Sequence, residues 1–231
     1  MMYLEWIKVL SYSMLFRGIS SEALNTMLEC LKPRIQRCKQ REIVAVYGQP
    51  FHGIGIVASG RVALTRETYS GNRIMLEILN AGGIFGEMVA FSDSKVWPVT
   101  VITQEDSCLF FLPPDKILGN CANICTSHST LIMNTLNILS NRALMLNKKI
   151  EHLSAKSIRS KVSSYLLDMY RQTGDAAFTI SMKRHELADY LSIPRPSLSR
   201  EMGLMRDVGI IEFDGASIKI NKILMLEESI E

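Results

Sequence analysis

The sequence predicts an α+β chain in three parts: antiparallel strands near the N-terminus, one long helix, and a small helical domain closed by a hairpin. Three observations carry this reading. Short Val- and Ile-rich runs alternate with glycine turns between about residues 40 and 112. After Pro113 and Pro114 an apolar heptad seam runs without another proline until Pro194. Finally, "IPRPSLSREMGLM" (Ile193–Met205) lies between an amphipathic segment and "GIIEFDGASIKI", where Asp214-Gly215 is a strong hairpin dipeptide.

A chain of 231 residues accommodates two ordinary domains, and 47% hydrophobic content suits a packed core. No apolar run reaches membrane-spanning length, and the N-terminus lacks a small-residue cleavage site, so a cytoplasmic protein is expected. Five scattered cysteines (Cys30, Cys38, Cys108, Cys121, Cys125) form neither a disulfide framework nor a CxxC zinc pair. From residue 157 to 231, ten Lys/Arg face eleven Asp/Glu. Nucleic-acid affinity there must come from where the charges sit, not from their sum.

In chain order, "SEALNTMLECL" predicts a short helix, capped by Ser20 or Ser21 and ended before Pro33. "EIVAV", "GIGIVA", "RVALTRE", "IMLEIL" and "VTVITQ" predict strands. The turns between them fall at residues 47–50, Ser59-Gly60, Ser70-Gly71-Asn72 and Ala81-Gly82-Gly83, a spacing that argues for a sandwich or barrel. The long helix is expected from about Asp115 to Ser154. Its seam is Cys125, Ser129, Ile132, Leu136, Leu139, Ala143, Leu146, Ile150 and Leu153, and a second row is Ile124, Leu131, Ile138 and Met145. Two apolar stripes on one helix let one pack on its own domain and the other on a second copy of the chain, the alternative being a long core helix within one subunit. Ser157 then reads as a fresh N-cap for a helix ending at Gly174. The expected divisions are residues 1–114, 115–156 and 157–231.

In the last part, "KRHELADYL" is the first helix, Ser192 and Ile193 form a turn, and "PSLSREMGLMRDV" is the second helix. Helix, tight turn, helix and hairpin make a winged helix-turn-helix. Pro196 is expected at the first helical position, where its missing N–H costs nothing, with Arg195 held just outside. Arg195, Pro196, Ser197, Ser199 and Arg200 then form the DNA-facing candidate set. Gly203 keeps the helix surface low on the same face. Arginine donates two bonds to guanine in the major groove. Lys183 and Arg184 are candidate phosphate contacts.

With "GIGIVASGRVAL", "LNAGGIFGEM", the long helix and the winged helix-turn-helix in this order, the chain resembles the Crp/Fnr family of bacterial transcription regulators from about Phe16 to Leu224. The resemblance implies an N-terminal antiparallel β-roll (jelly-roll-like) of the cyclic-nucleotide-binding type, a dimerising central helix and a C-terminal winged helix-turn-helix. It also implies a homodimer on a palindromic operator of double-stranded DNA, contact with RNA polymerase, and no membrane.

The signal site departs from the family. In cyclic-AMP-responsive members, the Gly-Glu of the phosphate loop is followed, ten residues after the Glu, by Arg-Ser or Arg-Thr. Here Gly86, Glu87 and Met88 are followed at the counted positions by Trp97 and Pro98. Neither residue offers a charge or a hydroxyl to a phosphate. Lys95 lies close by but lacks arginine's planar fork. Gly86, Glu87, Met88, Trp97 and Pro98 are therefore the candidate effector pocket, lined by an apolar wall or filled by its own side chains. The family's iron–sulfur branch uses an N-terminal cysteine cluster, and this chain has no cysteine before Cys30. Cys121, Cys125 and His128 meet on one helical face if the helix is continuous, either as metal or haem ligands or as plain packing residues. His52, His152 and His185 have no companions in sequence. The cofactor is unknown, and no metal set or catalytic residue is assigned. The glutamate that many members carry after the leading arginine is replaced by Pro196. The competing reading is a ligand-binding module that regulates a partner protein without DNA. An enzyme is disfavoured, since no nucleophile–base pair or phosphate-cradling loop is recognisable.

Overall fold

The structure, a computed structural model, describes residues 3–67, 73–119 and 126–230. The chain divides into two compact units, Met1–Asn141 and Arg142–Glu231.

The first unit opens with helices α1 (Leu4–Ser11) and α2 (Ser21–Leu31). Ser20 caps α2, its hydroxyl accepting from the Ala23 N–H at 3.3 Å. Lys32 ends that helix in the left-handed region just before Pro33. Eight strands follow: β1 (Arg34–Cys38), β2 (Ile43–Ala45), β3 (Ile54–Ser59), β4 (Val62–Glu67), β5 (Arg73–Leu79), β6 (Ile84–Phe85), β7 (Thr100–Thr103) and β8 (Ser107–Leu112). A one-turn helix, α3 (Glu87–Ala90), separates β6 from β7. The strands form two antiparallel sheets, ordered β1-β8-β3-β6 and β2-β7-β4-β5. Val57, Leu109, Phe85 and Phe111 from the first sheet and Val62, Leu79 and Val101 from the second share one core cluster. The opposite face of the first sheet packs Ile54, Ile56, Phe110 and Leu112 against Leu10, Leu24 and Leu28 of α1 and α2. Strands β3 and β8 are therefore covered on both faces, which is why they read as continuous apolar runs rather than as alternating ones.

The sequence signals for β2, β3, β4, β5 and β7 each correspond to a strand. β1 lies ahead of the expected start, its "RIQRC" too charged to read as a strand. The turn at Ser70-Gly71-Asn72 lies outside the described residues. The long helix is shorter than expected. Pro114–Leu118 is a separate helix, α4, that stops at Gly119, which is in extended conformation, and α5 spans Thr126–Ser154. Leu131 and Ile138 of α5 are buried in the first unit's core. Leu136, Leu146 and Ile150 are 51%, 47% and 60% exposed, while Ile132, Leu139 and Leu153 are half-buried. Met145, in the same row as Leu131 and Ile138, is exposed. Ile124 and Cys125 lie outside the described residues.

The second unit continues with α6 (Ile158–Thr173), β9 (Ala177–Thr179), α7 (Arg184–Tyr190), α8 (Arg195–Asp207), β10 (Ile211–Asp214), β11 (Ser217–Ile220) and α9 (Ile223–Glu228). Ser157 caps α6 by accepting from the Ser160 N–H at 2.9 Å, and Gly174 closes it in the left-handed region. Leu187, Ala188, Leu191, Leu198, Met202 and Met205 enter one core with Val162, Leu166 and Ile218. The hairpin pairs Asp214 with Ser217, leaving Gly215 and Ala216 as a two-residue loop. Gly215 has φ +57°, the conformation a first loop residue needs in such a turn. β9, which the sequence did not reveal, adds a third strand in the order β10-β11-β9.

Candidate nucleic-acid interface and effector pocket

Helix α7 begins after Lys183, whose N–H donates to Glu186 Oε2 at 2.6 Å. Ser192, at φ +52°, turns the chain sharply, and the Ile193 N–H reaches back to the Ala188 carbonyl at 2.9 Å. Pro194 is the N-cap of α8. Arg195 is thus its first residue and Pro196 its second, one place later than the sequence predicted. Both positions lie in the first turn, where an N–H has no helical partner, so the ring is equally well tolerated.

Arg195, Pro196, Ser199 and Arg200 are exposed, and Ser197 is half-buried. Nothing lies within 4 Å of where a Cβ on Gly203 would stand. Lys183, Arg184 and Arg195 line one cleft between the start of α8 and the wing loop at Gly215 and Ala216. Among the described residues, Lys183, Arg195 and Arg200 form no ion pair. Three further arginines of this unit, Arg159, Arg184 and Arg206, are engaged. Arg159 Nε holds Glu201 Oε1 at 2.6 Å, tying α6 to α8. Arg206 pairs with Asp207. Arg184, expected as a phosphate contact, is half-buried, with its guanidinium 5.0 Å from the Phe213 ring centre and against Met202 Sδ. Arg206 lies 5.4 Å from the same ring. This double stack fixes the wing strand to both helices. It escaped the sequence reading because Phe213 carries no local signal of an arginine partner.

A Gly203→Ala substitution separates structure from recognition. Alanine stabilises a helix interior by about 0.8–1 kcal/mol over glycine, and the open surroundings impose no clash. The melting temperature is expected to rise while duplex affinity falls, as read by thermal unfolding and fluorescence anisotropy together.

In the first unit, the loop before β7 is strapped to the turn before β3. Phe51 N–H donates to the Lys95 carbonyl at 2.8 Å, Trp97 N–H to Gln49 O at 2.8 Å, and Gly48 N–H to Trp97 O at 2.9 Å. The Trp97 side chain is thereby held inside, 0% exposed. Its ring lies 4.7 Å from Phe51, 5.7 Å from His52 and 5.9 Å from Phe85. Gly86 is left-handed, and a Cβ there would meet Phe51 and Trp97 ring carbons at 2.9 Å. Glu87 and Val89 are buried, whereas Met88 and Pro98 face outward. Of the five expected pocket residues, Glu87 and Trp97 thus lie inside, and Gly86 is half-buried against the Trp97 ring. The Trp97 Nε1 has no hydrogen-bond partner among the described residues.

Cys121 and Cys125 lie outside the described residues. His128 is buried, with Nε2 at 3.1 and 3.0 Å from the Lys116 and Ile117 carbonyls, so it docks α4 on α5. Cys38 and Cys108 belong to cores on opposite faces of one sheet, and burial pushes both thiols up. His52 meets the Trp97 and Phe111 rings edge-on, and His185 is exposed. His152 is not companionless, because Asp168 and Tyr190 meet it. Among the described residues, no three His, Cys, Asp or Glu side chains gather to hold a metal. No described helix is long and apolar enough to cross a membrane.

Residues 35–123 match the cyclic nucleotide-binding domain model, and residues 160–229 match the Crp-like helix-turn-helix domain model. The chain is 25% identical over 216 residues to the cyclic AMP receptor protein of Thermus thermophilus, covering 94% of this chain and 96% of that one. It is 20% identical to the global nitrogen regulator of a Synechocystis species, covering 87% and 90%. Among solved structures, the catabolite activator protein of Thermus thermophilus superposes with a TM-score of 0.55 at 24% identity, covering 94% and 98%.

Proposed function

Because the chain belongs to the Crp family of transcription regulators, with a cyclic nucleotide-binding domain ahead of a Crp-like helix-turn-helix domain, we propose that it binds a palindromic DNA operator as a homodimer under a signal other than cyclic AMP. The observation that carries the DNA reading is the cleft lined by Lys183, Arg184 and Arg195, with the unpaired Lys183 and Arg195 beside an uncrowded Gly203. The domain's near-zero charge balance hides this local excess. The exposed α5 stripe supports the dimer, and contact with RNA polymerase follows from family membership.

For the signal, Trp97 is the deciding residue. Several relatives are named for cyclic AMP, among them the receptor protein of Thermus thermophilus and the cAMP-activated regulators of Mycobacterium tuberculosis. In this chain an uncharged ring fills the space beside Gly86, and Pro98 faces away from it. A cyclic phosphate brought there would lose water without gaining a cation.

The test is anisotropy with duplexes enriched from a random-sequence library, measured across a salt series. DNA binding through phosphates predicts affinity falling linearly on a log–log salt plot. No enrichment, or binding indifferent to salt, would instead favour a module that regulates a partner protein. In the same assay Arg195→Ala is expected to cost about 1–3 kcal/mol and to relax preference at one position per half-site. Lys183→Ala should weaken all sequences alike and lower the salt slope. An unchanged ranking of sequences in Arg195→Ala rules out base reading by Arg195.

A further inference from the structure

The last turn of α5 buries a histidine at the meeting of three helices. His152 is 3% exposed. Its Nε2 stands 3.2 Å from Asp168 Oδ2 on α6, a contact that becomes an ion pair only on protonation and that lacks hydrogen-bond alignment. Its Nδ1 is hydrogen-bonded at 3.2 Å to the Tyr190 hydroxyl, on the last residue of α7. The rings of Tyr165 and Tyr190 stand edge-on to the imidazole at 5.7 and 5.8 Å, and 5.8 Å from each other. Lys148 Nζ reaches Asp168 Oδ2 at 3.4 Å, and Lys149 Nζ lies 5.3 Å from the Tyr190 ring centre. Glu151 acts on His152 from its own helix.

We infer that His152 is a positioning residue, a latch whose two ring nitrogens hold α6 and α7 against the end of α5 and so fix where the DNA-reading helices are presented. The inference rests on reading α7 and α8 as the DNA-binding pair. The chemistry suits one imidazole. A carboxylate only accepts, whereas a tyrosine hydroxyl either donates or accepts. With neutral imidazole, Tyr190 O–H donates to Nδ1 and the ring's own N–H faces Asp168. A proton added at Nδ1 reverses that bond, so the hydroxyl must rotate to accept, and it places a positive charge among two tyrosine rings and near Lys148. Burial pushes the Tyr165 hydroxyl up to about 12, so it contributes no compensating charge.

Burial, aided by Lys148, lowers the His152 pKa from its ordinary 6.5, against the opposing pull of Asp168 and Glu151. The sign follows. An unlatched imidazole takes a proton more readily than the latched one, so the latch holds fully above pH 6.5 and weakens as pH falls through the lower, latched value. For one proton the slope is at most about tenfold per pH unit.

The experiment uses the full chain, with His152→Gln and His152→Leu. Glutamine keeps a donor and an acceptor but does not titrate. The probes are the duplex enriched by the wild-type protein at pH 7.5 and amide exchange in α7. Wild type is expected to lose duplex affinity more steeply than His152→Gln between about pH 6.5 and 5.5. His152→Leu should bind weakly throughout, with faster exchange in α7 while the core of the first unit keeps its protection. Superimposable pH profiles for wild type and His152→Gln overturn the latch. So does unchanged α7 exchange in His152→Leu, a result independent of DNA. Failure to enrich any duplex would instead count against the DNA-binding reading and leave the exchange experiment to decide the latch.

Discussion

Replacing Leu146 by Asp is expected to yield a folded monomer that no longer holds a palindromic duplex. The reason lies in how α5 divides its apolar residues. Leu131 and Ile138 are spent within the first unit, at 0% and 6% exposure, while Leu136, Leu146 and Ile150 stand open at about half or more of their surface. With Leu139, Ala143 and Leu153 they form a row at alternating steps of three and four, the surface a second helix covers in a coiled coil. Two-fold symmetry brings each seam position close to its own copy, so one Asp places two like charges in a dry interface. Uncompensated buried charge costs about 3–5 kcal/mol, which weakens the dimer by roughly a hundredfold or more. Because Leu146 is 47% exposed in the single chain, the substitution leaves the fold of each copy intact. Light scattering should report one chain's mass, with an unchanged far-ultraviolet spectrum. Leu131→Asp is the contrast, since it should unfold the first unit rather than separate two copies. A dimeric Leu146→Asp protein would remove the seam from the assignment.

What could be read from the sequence was local. Ser20, Ser157 and Gly174 mark helix ends because a hydroxyl or a missing Cβ acts within one turn, and each does so here. The heptad seam and the wing dipeptide Asp214-Gly215 are likewise short-range signals. What escaped was set by contacts between residues far apart in the chain. The same arginine chemistry that made Arg184 a phosphate candidate also stacks it on Phe213, and only the fold decides between these uses. His152 looked alone until α6 and α7 brought Asp168 and Tyr190 to its two nitrogens. β1 and β9 were hidden because a strand with charges, or one of three residues, carries too little pattern to outweigh its surroundings. The one-place shift at Pro194–Pro196 is of the same kind. Two prolines fix that a helix starts there, but the first turn accepts the ring at more than one position.

The sensor half should show no response to cyclic AMP, and its stability should depend heavily on Trp97. The ring is fully buried between the two sheets, in contact with Phe51, His52 and Phe85, and Gly86 has no room for a Cβ because the ring is there. Removing it by Trp97→Ala deletes the largest fully buried side chain among the described residues and is expected to cost about 3–5 kcal/mol. A ligand entering at this place must first displace that ring, so its binding energy is reduced by what the ring contributes. Cyclic AMP would then meet no guanidinium at positions 97 and 98, with Lys95 exposed and its ammonium bonded to the Ser92 carbonyl at 2.9 Å. A ligand switches DNA affinity only through a difference in its binding to the active and inactive forms, and a site that does not bind it supplies none. Calorimetry with cyclic AMP and cyclic GMP should therefore give no saturable heat with the wild-type chain, and neither nucleotide should change its duplex affinity. In Trp97→Ala, chemical denaturation should show the loss in the first unit, while the helix-turn-helix unit keeps its own transition. Micromolar cyclic AMP binding to the wild-type chain, coupled to tighter duplex binding, would mean that Trp97 swings out and that Lys95 or backbone N–H groups neutralise the phosphate. The reading of Trp97 as a built-in plug would then be withdrawn.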